Sequence, residues 1–322
     1  TLITSQDFPE KKFHKREKHA AKIMGRDDRK YGDHSGNRVL CRFYNHGSIG
    51  DQSSSFSGVY PIGSGHSYIW EFSPVVAASV VDTNGFRRHI VSDGISGLVD
   101  ASPEGTPWSF EPLSGYSNPN QENLAMSDNE NSWPNSWPNR TEDWNGEWNG
   151  QYGKYVRADQ ESYFVVDDRY NSEFEFWPDQ NDIPEDPTVS PDEHRRGLGI
   201  EMEARGYQWN HPAAEDIIIV TYWITNVGSS VLDSVVFGMY GDADIGGASS
   251  FSDDDAWFDT ENDMVYQWDH DNWSSSYGGF RPAYFGWSFL ESPGNPHDGI
   301  DNDGDGMIDE SQFDGIDNDG DW

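Results

Sequence analysis

The chain has one cysteine, Cys41, in 322 residues. That excludes an intrachain disulfide and leaves the compartment unreadable from thiols. Lysine is nearly as scarce: six of the seven lie in the first 30 residues and only Lys154 follows. From residue 31 onward, 12 Lys+Arg face 52 Asp+Glu. A nucleic-acid backbone needs a basic footprint that this body lacks. Anionic lipid surfaces are disfavoured for the same reason, except at the N-terminal arm. No apolar run approaches the ~18 residues of a membrane span. No signal peptide is visible, although a mature exported chain would have lost one.

Catalytic signatures are missing as well. There is no HExxH, no GxSxG and no phosphate-binding glycine loop. Acidic residues are so numerous that a glycosidase-like pair can be drawn almost anywhere, which makes any one pair uninformative. The ten histidines are scattered, and His194 and His211 read as solvated loop residues. Glu161, Asp167 and Asp168 flank a strand and read as a polar sheet edge rather than a catalytic set. The sequence therefore gives no reason to class the chain as an enzyme.

Aromatics and turn formers are abundant. Fourteen Trp, fifteen Tyr and seventeen Phe supply buried area in large pieces. Short apolar runs alternate with Gly, Asn, Asp, Ser and Pro, the pattern of an all-β protein with many turns. Residues 1–35 read as a basic arm or short helix, with nine Lys+Arg against five Asp+Glu in the first 30. Residues 36–100 read as β-rich, with a turn at Asp82-Thr-Asn-Gly85. Residues 101–158 form a Trp/Pro/Asn-rich connection. Residues 159–292 read as an antiparallel β-sandwich, Ig-like or jelly-roll-like, with long loops. Strands are expected at Glu161–Asp167, Glu173–Trp177, Gly197–Trp209, Glu215–Asn226, Val231–Tyr240, Met264–Trp268 and Tyr284–Leu290. Both faces of Glu215–Asn226 are apolar, so that strand is expected to be central and covered on both sides.

The last segment, 293–322, carries the strongest motif. DGIDNDGD occurs at Asp298–Asp305 and again at Asp314–Asp321. Asp301, Asp303 and Asp305, then Gly306 and Asp309, form the front half of an EF-hand-like loop. Alternating carboxylates in a tight turn can point several hard oxygens at one Ca²⁺. Between Asp298 and Asp321 stand ten acidic residues and no basic one; the alternative is an acidic solvated tail. Gln312 replaces the bidentate Glu of an EF-hand, so Asp309 or Glu310 must serve. The second copy, with Asp317, Asp319 and Asp321, has Trp322 where glycine is expected. Its site is completed by residues outside this chain or by a neighbouring molecule.

Two further constellations stand out. GDADIGG at 241–247 ends a strand and precedes Asp253, Asp254, Asp255 and Asp259. It reads as a second Ca²⁺ site, with Asp242 and Asp244 the favoured ligands, or as an acidic loop cluster. Trp133, Trp137, Trp144, Trp148 and Tyr152 form an aromatic series that either stacks on sugars or anchors the long connection to the sandwich. Asn139-Arg-Thr141 and Asn272-Trp-Ser274 fit the N-glycosylation pattern.

GNRVLCRFYNHGSIG, ADQESYFVVDDRYN, RRGLGIEMEARGYQW, VVFGMYGDADIGG and FGWSFLESPGNPHDGIDNDGDGMIDE together resemble a group of large exported proteins of Bacteroidota and related bacteria. These are type IX secretion-associated surface proteins. The resemblance runs from about Gly36 to Trp322. It implies an extracellular or cell-surface location and a longer natural chain, and it brings no established activity. Asp301, Asp303, Asp305 and Asp309 fall in that group's acidic calcium-type motif, and Asp242 and Asp244 in its GDxDIGG motif. The combined expectation is a secreted, calcium-binding structural protein that self-assembles head to tail into a filament or layer. A carbohydrate-binding module or polysaccharide-degrading exoprotein is the alternative. Self is the main partner, glycans a further one, and nucleic acid none.

Overall fold

The computed structural model describes residues 28–50, 57–96, 99–180, 194–247, 250–260 and 262–290. The expected arm or helix at the N-terminus, apart from its last residues, and the C-terminal calcium-type loops with Asp301, Asp303, Asp305, Asp309, Asp317, Asp319 and Asp321 lie outside them. Among the described residues there is no helix of seven residues or more, and the fold is an all-β antiparallel sandwich. No described helix is long and apolar enough to cross a membrane.

Among the described residues thirteen strands follow one another: β1 (Tyr31–His34), β2 (Cys41–Tyr44), β3 (Ile69–Val81), β4 (Arg87–Asp93), β5 (Glu111–Pro112), β6 (Ala125–Met126), β7 (Gln160–Asp167), β8 (Ile200–Gln208), β9 (Ile219–Asn226), β10 (Asp233–Ala243), β11 (Asp254–Asp259), β12 (Met264–Asp269) and β13 (Phe285–Ser288). β1 and β2 form a hairpin. One sheet has the order β10–β3–β4, a second runs β5–β7–β8–β9 with β6 also on β7, and β11 to β13 form a third. Two compact units divide the chain, the larger taking 21–256 and 267–285. The stretches read as a β-rich region and a sandwich thus share one sheet, because β3 pairs with β10.

Local chemistry sets the turns. Asp82 closes the β3–β4 hairpin by accepting the N–H of Asn84 and of Phe86 on one carboxylate oxygen, while Gly85 sits at φ +80°. A left-handed φ there favours glycine. β8 and β9 form the expected hairpin, in register from Ile200↔Asn226 to Tyr207↔Ile219. Glu173–Trp177 is not a strand; the chain bends there. β9 corrects a second expectation. It pairs only with β8 among the described residues and ends the sheet, and Trp223 is 39% exposed. Its apolar outer face is partly exposed rather than fully buried.

The two larger sheets face each other. Ser92 on β4 donates to Asp168, just past β7, at 2.8 Å, and Asn171 donates to the Val91 carbonyl at 2.9 Å. Val76 of β3 and Ile200 of β8 line one groove, and the Tyr222 ring of β9 lies 5.1 Å from Phe237 of β10. Asp168 is fully buried and accepts the N–H of Leu198 (2.6 Å) and of Ile200 (2.9 Å). A Cβ at Gly197, whose φ is +66°, would stand 2.5 Å from that carboxylate. Asp167 is held by the Arg195 guanidinium, and Glu161 accepts N–H groups of Arg157, Ala158 and the Trp148 indole. The acids at β7 are therefore buried brackets of the frame, not an exposed sheet edge.

The Trp-rich connection supplies a second core. Tyr116, Ala125, Trp137, Trp148, Tyr163 and Val165 form a buried cluster, with Trp133 and Trp144 packed against it. Trp137 stands edge-on to Trp148 at 6.1 Å. Each buried indole N–H finds an acceptor: Trp133 the Met126 carbonyl, Trp137 the Glu147 carbonyl, Trp148 the Glu161 carboxylate. A long connection with little secondary structure needs such anchors to repay the entropy of ordering it. Of the aromatic series, only Tyr152 is an exposed ring.

Two measurements follow from this packing. Trp148→Ala removes a buried ring and the indole donor to Glu161, and should lower unfolding free energy by about 3–5 kcal/mol in urea titration. Gly197→Ala should cost about 1–3 kcal/mol or more, from its φ and the clash with Asp168. Gly85→Ala, whose Cβ would meet nothing within 4 Å, should cost less than Gly197→Ala by the same assay.

Candidate metal centre

The carboxylates of GDADIGG are positioned by the end of β10. Asp242 lies opposite Glu71 of β3, and the register slips between Asp242 and Ala243. That irregularity lets the chain leave the sheet, and Gly246 and Gly247, both at φ +83°, turn it. Ser274 donates its hydroxyl to the Gly246 carbonyl at 2.7 Å, and a Cβ at Gly246 would lie 2.7 Å from the Ser274 Cβ. The loop is thereby pinned to the segment after β12. That contact gathers acids distant in sequence.

Oxygens of Asp253, Asp269 and Asp271 all lie within 4.8 Å of one another. Asp269 is buried, and its carboxylate accepts the Ser250 hydroxyl (2.7 Å) and the Trp273 N–H (2.8 Å). Asp254 accepts the Ile245 N–H on Oδ2 at 2.9 Å, while its Oδ1 is buried without a partner. Asp255 pairs with the exposed His270 at 2.7 Å. Asp259 is engaged elsewhere, accepting from Asn262.

Electrostatics follow from the crowding. Burial raises the Asp254 carboxyl to about 7, and the negative charges of Asp269, Asp244 and Asp253 add to the rise. Asp244 is raised by burial and then by Asp242, and Asp242 by burial and then by Glu71. Glu71, itself buried, accepts the Ser48 and Ser73 hydroxyls and the Ser96 N–H. A line of acids thus runs from the sheet interior to the loop. Ligand oxygens on opposite sides of a Ca²⁺ ion stand at most about 5 Å apart, and hard carboxylate oxygens are its usual donors. The spacing of Asp253, Asp269 and Asp271 suits that ion.

Sequence reasoning placed Asp242 and Asp244 beside this centre but missed Asp269 and Asp271. The signal existed, as an Asp-x-Asp pair in a turn after a strand, the same spacing found in the C-terminal repeats. It was hidden because the partners are separated by a strand pair and meet only on folding. The aromatic series does not present a sugar platform: Trp137 and Trp148 are buried, Trp133 and Trp144 half-buried against them. Asn139 has its amide engaged, donating to Tyr163 and accepting from Asn149, whereas Asn272 is exposed in a turn.

Comparison with known proteins returns nothing: no family model matches the chain, and no curated protein and no solved structure is significantly similar to it.

The raised acid at this centre has a pH consequence. A carboxyl whose folded pKa lies above its unfolded value binds its proton more tightly when folded. Its contribution is full below the unfolded value near ~4 and is lost as pH rises through about 7. In chelator, Asp254→Asn should therefore flatten the fall in denaturant midpoint between about pH 5 and pH 8 relative to the unmodified chain. An unchanged slope would mean that Asp254 titrates normally.

Proposed function

We propose that this chain is an extracellular calcium-binding structural protein of a cell surface, whose folded form depends on Ca²⁺ and which assembles with copies of itself. The observation that carries the reading is the meeting of Asp253, Asp269 and Asp271 oxygens within 4.8 Å, beside an Asp254 whose charged neighbours are all negative. Such a grouping is self-repelling without a cation. Divalent ions at millimolar levels, as outside cells, would neutralise it. Asp242 and Asp244 extend the same acidic line, and the DGIDNDGD repeats at 298–321 offer further calcium-type loops. Likeness to exported bacterial surface proteins fits the same location.

Assembly in this reading is electrostatic. Residues 1–30 are net basic and the remainder is strongly acidic, so the arm of one copy complements the body of the next. A heterologous contact of that kind propagates unless its rotation closes a ring. The glycan-binding alternative has less support, because most of the rings it needs are in the core.

Calcium should raise the melting temperature and release protons, with more released at pH 6.5 than at pH 8.5 because Asp254 titrates near 7. At about a hundredfold excess over Kd, one site adds roughly 2.7 kcal/mol. Asp253→Asn with Asp271→Asn should abolish the part of that stabilisation owed to this centre. Asp301→Asn with Asp303→Asn should remove a separate increment. Melting curves of both double variants that respond to calcium like the parent would defeat the proposal.

A further inference from the structure

The first strand carries a histidine into the interior of the fold. His34 is 0% exposed and stands opposite Cys41 in the β1–β2 register. Its Nε2 lies 2.8 Å from the Ser162 hydroxyl of β7, and its Nδ1 is buried with no partner. The ring packs on Phe43, with 4.5 Å between centroids. A Cβ at Gly206 of β8 would come within 2.6 Å of Nε2, so that side of the ring is closed as well.

Among the described residues nothing charged faces this ring. β2 presents Cys41 and Phe43, β7 presents Ser162, and β8 presents Gly206 and Gln208. Only Cys41 of these titrates, and burial pushes its thiol up to about 12. Asp33 and Arg42 project to the other side of the hairpin and pair with each other at 2.7 Å. Ser162 fixes the state of the imidazole. Its oxygen accepts the Gly206 N–H at 3.1 Å, and His34 Nε2 is the acceptor that its hydroxyl proton finds. The neutral ring therefore carries its own proton on Nδ1. A second proton would make both nitrogens donors. Nε2 would turn the hydroxyl proton away, and Nδ1 would hold a charged N–H where no acceptor stands. Burial accordingly pushes the imidazole down to about 3, with Gln208 offsetting part of the fall.

We propose that His34 makes the β1–β2 hairpin an acid-released latch, closed while the ring is neutral and opening to let it take a proton. The latch lies at the root of the basic arm. Just before β1, Arg29 holds Glu111 at 2.8 Å and Lys30 donates to the Gln121 carbonyl at 2.7 Å. A buried neutral imidazole contributes fully above its unfolded value near ~6.5, and the contribution is lost as pH falls towards about 3. That sign is opposite to the one at Asp254, whose contribution is lost as pH rises. Release needs neither calcium nor a second copy of the chain.

The test uses Cys41, the only thiol of the chain and itself 0% exposed. A pyridyl disulfide, which reacts with thiols in acid as well as at neutrality, labels it in the full chain with chelator present. Rates are taken relative to the urea-unfolded chain at each pH. One proton taken up on opening should raise labelling about thirtyfold between pH 7.5 and pH 5. Tryptophan fluorescence should stay native over that range. His34→Gln, whose amide can accept from Ser162 but cannot take a proton, should flatten the rise. Nitrogen NMR of the unmodified chain needs no variant: the closed form should keep His34 neutral at pH 5. Labelling that does not change with pH overturns the inference. So does a rise that His34→Gln leaves whole, or a ring that protonates near pH 6.5 with Cys41 still closed. Labelling that appears only as the whole chain unfolds overturns it too.

Discussion

Several buried carboxylates are held chiefly by neutral hydrogen-bond donors rather than by cations, and much of the structure is arranged around them. With one lysine after residue 30, the sandwich satisfies its interior acids mostly with neutral donors. Asp168 takes two backbone N–H groups and a serine hydroxyl, Glu71 two hydroxyls and an N–H, Glu161 two N–H groups and an indole. Hydrogen bonds to a charged acceptor are individually strong and offset much of its desolvation. They also tie the sheets together: Ser92 to Asp168 joins β4 to the end of β7, and Ser48 and Ser96 converge on β3. Each bracket needs its donors at fixed places, which is why Gly197 has no room for a side chain.

Where neutral donors run out, the same logic points to a cation. Asp254 has one oxygen bonded to the Ile245 N–H and the other buried and bare, while Asp244, Asp253 and Asp269 press on it. The fold does not merely tolerate this crowding. Gly246 and Ser274 interlock to produce it, bringing the end of β10 against the segment after β12. Among the described residues this loop packs its acids together without an arginine or lysine ion pair, unlike the frame around Asp167, where Arg195 is recruited. One acid cluster carries its own counter-charge, and the other is where the proposed cation would act.

Much of this was legible beforehand, and the failures have physical causes. Strand positions from β3 to β4 and from β7 to β10 follow from β-branched runs and turn residues, which are local signals. The reading of 215–226 as doubly covered failed because an apolar outer face does not specify what covers it; β9 ends its sheet and Trp223 faces outward. Glu173–Trp177 alternates like a strand, yet the chain turns within it. The tryptophans were ambiguous, since a ring that anchors a loop and a ring that stacks on a sugar have the same sequence signature. Only tertiary packing separates them. Asp269 and Asp271 went unseen for a related reason: their Asp-x-Asp pair meets Asp253 only once β11 and β12 have folded between them.

Charge and edge chemistry then act on each other. A body this acidic keeps copies apart by long-range repulsion, which is how many soluble proteins avoid unwanted sheet growth. That general protection permits β10, which ends its sheet among the described residues, to go without its own. Val235 and Val236 would be an aggregation hazard on a neutral protein. Here they belong to a chain of net charge −36, whose repulsion opposes the approach of further copies. In the proposed reading a bound cation would lower the net charge, and so the repulsion between copies, without altering the strands themselves.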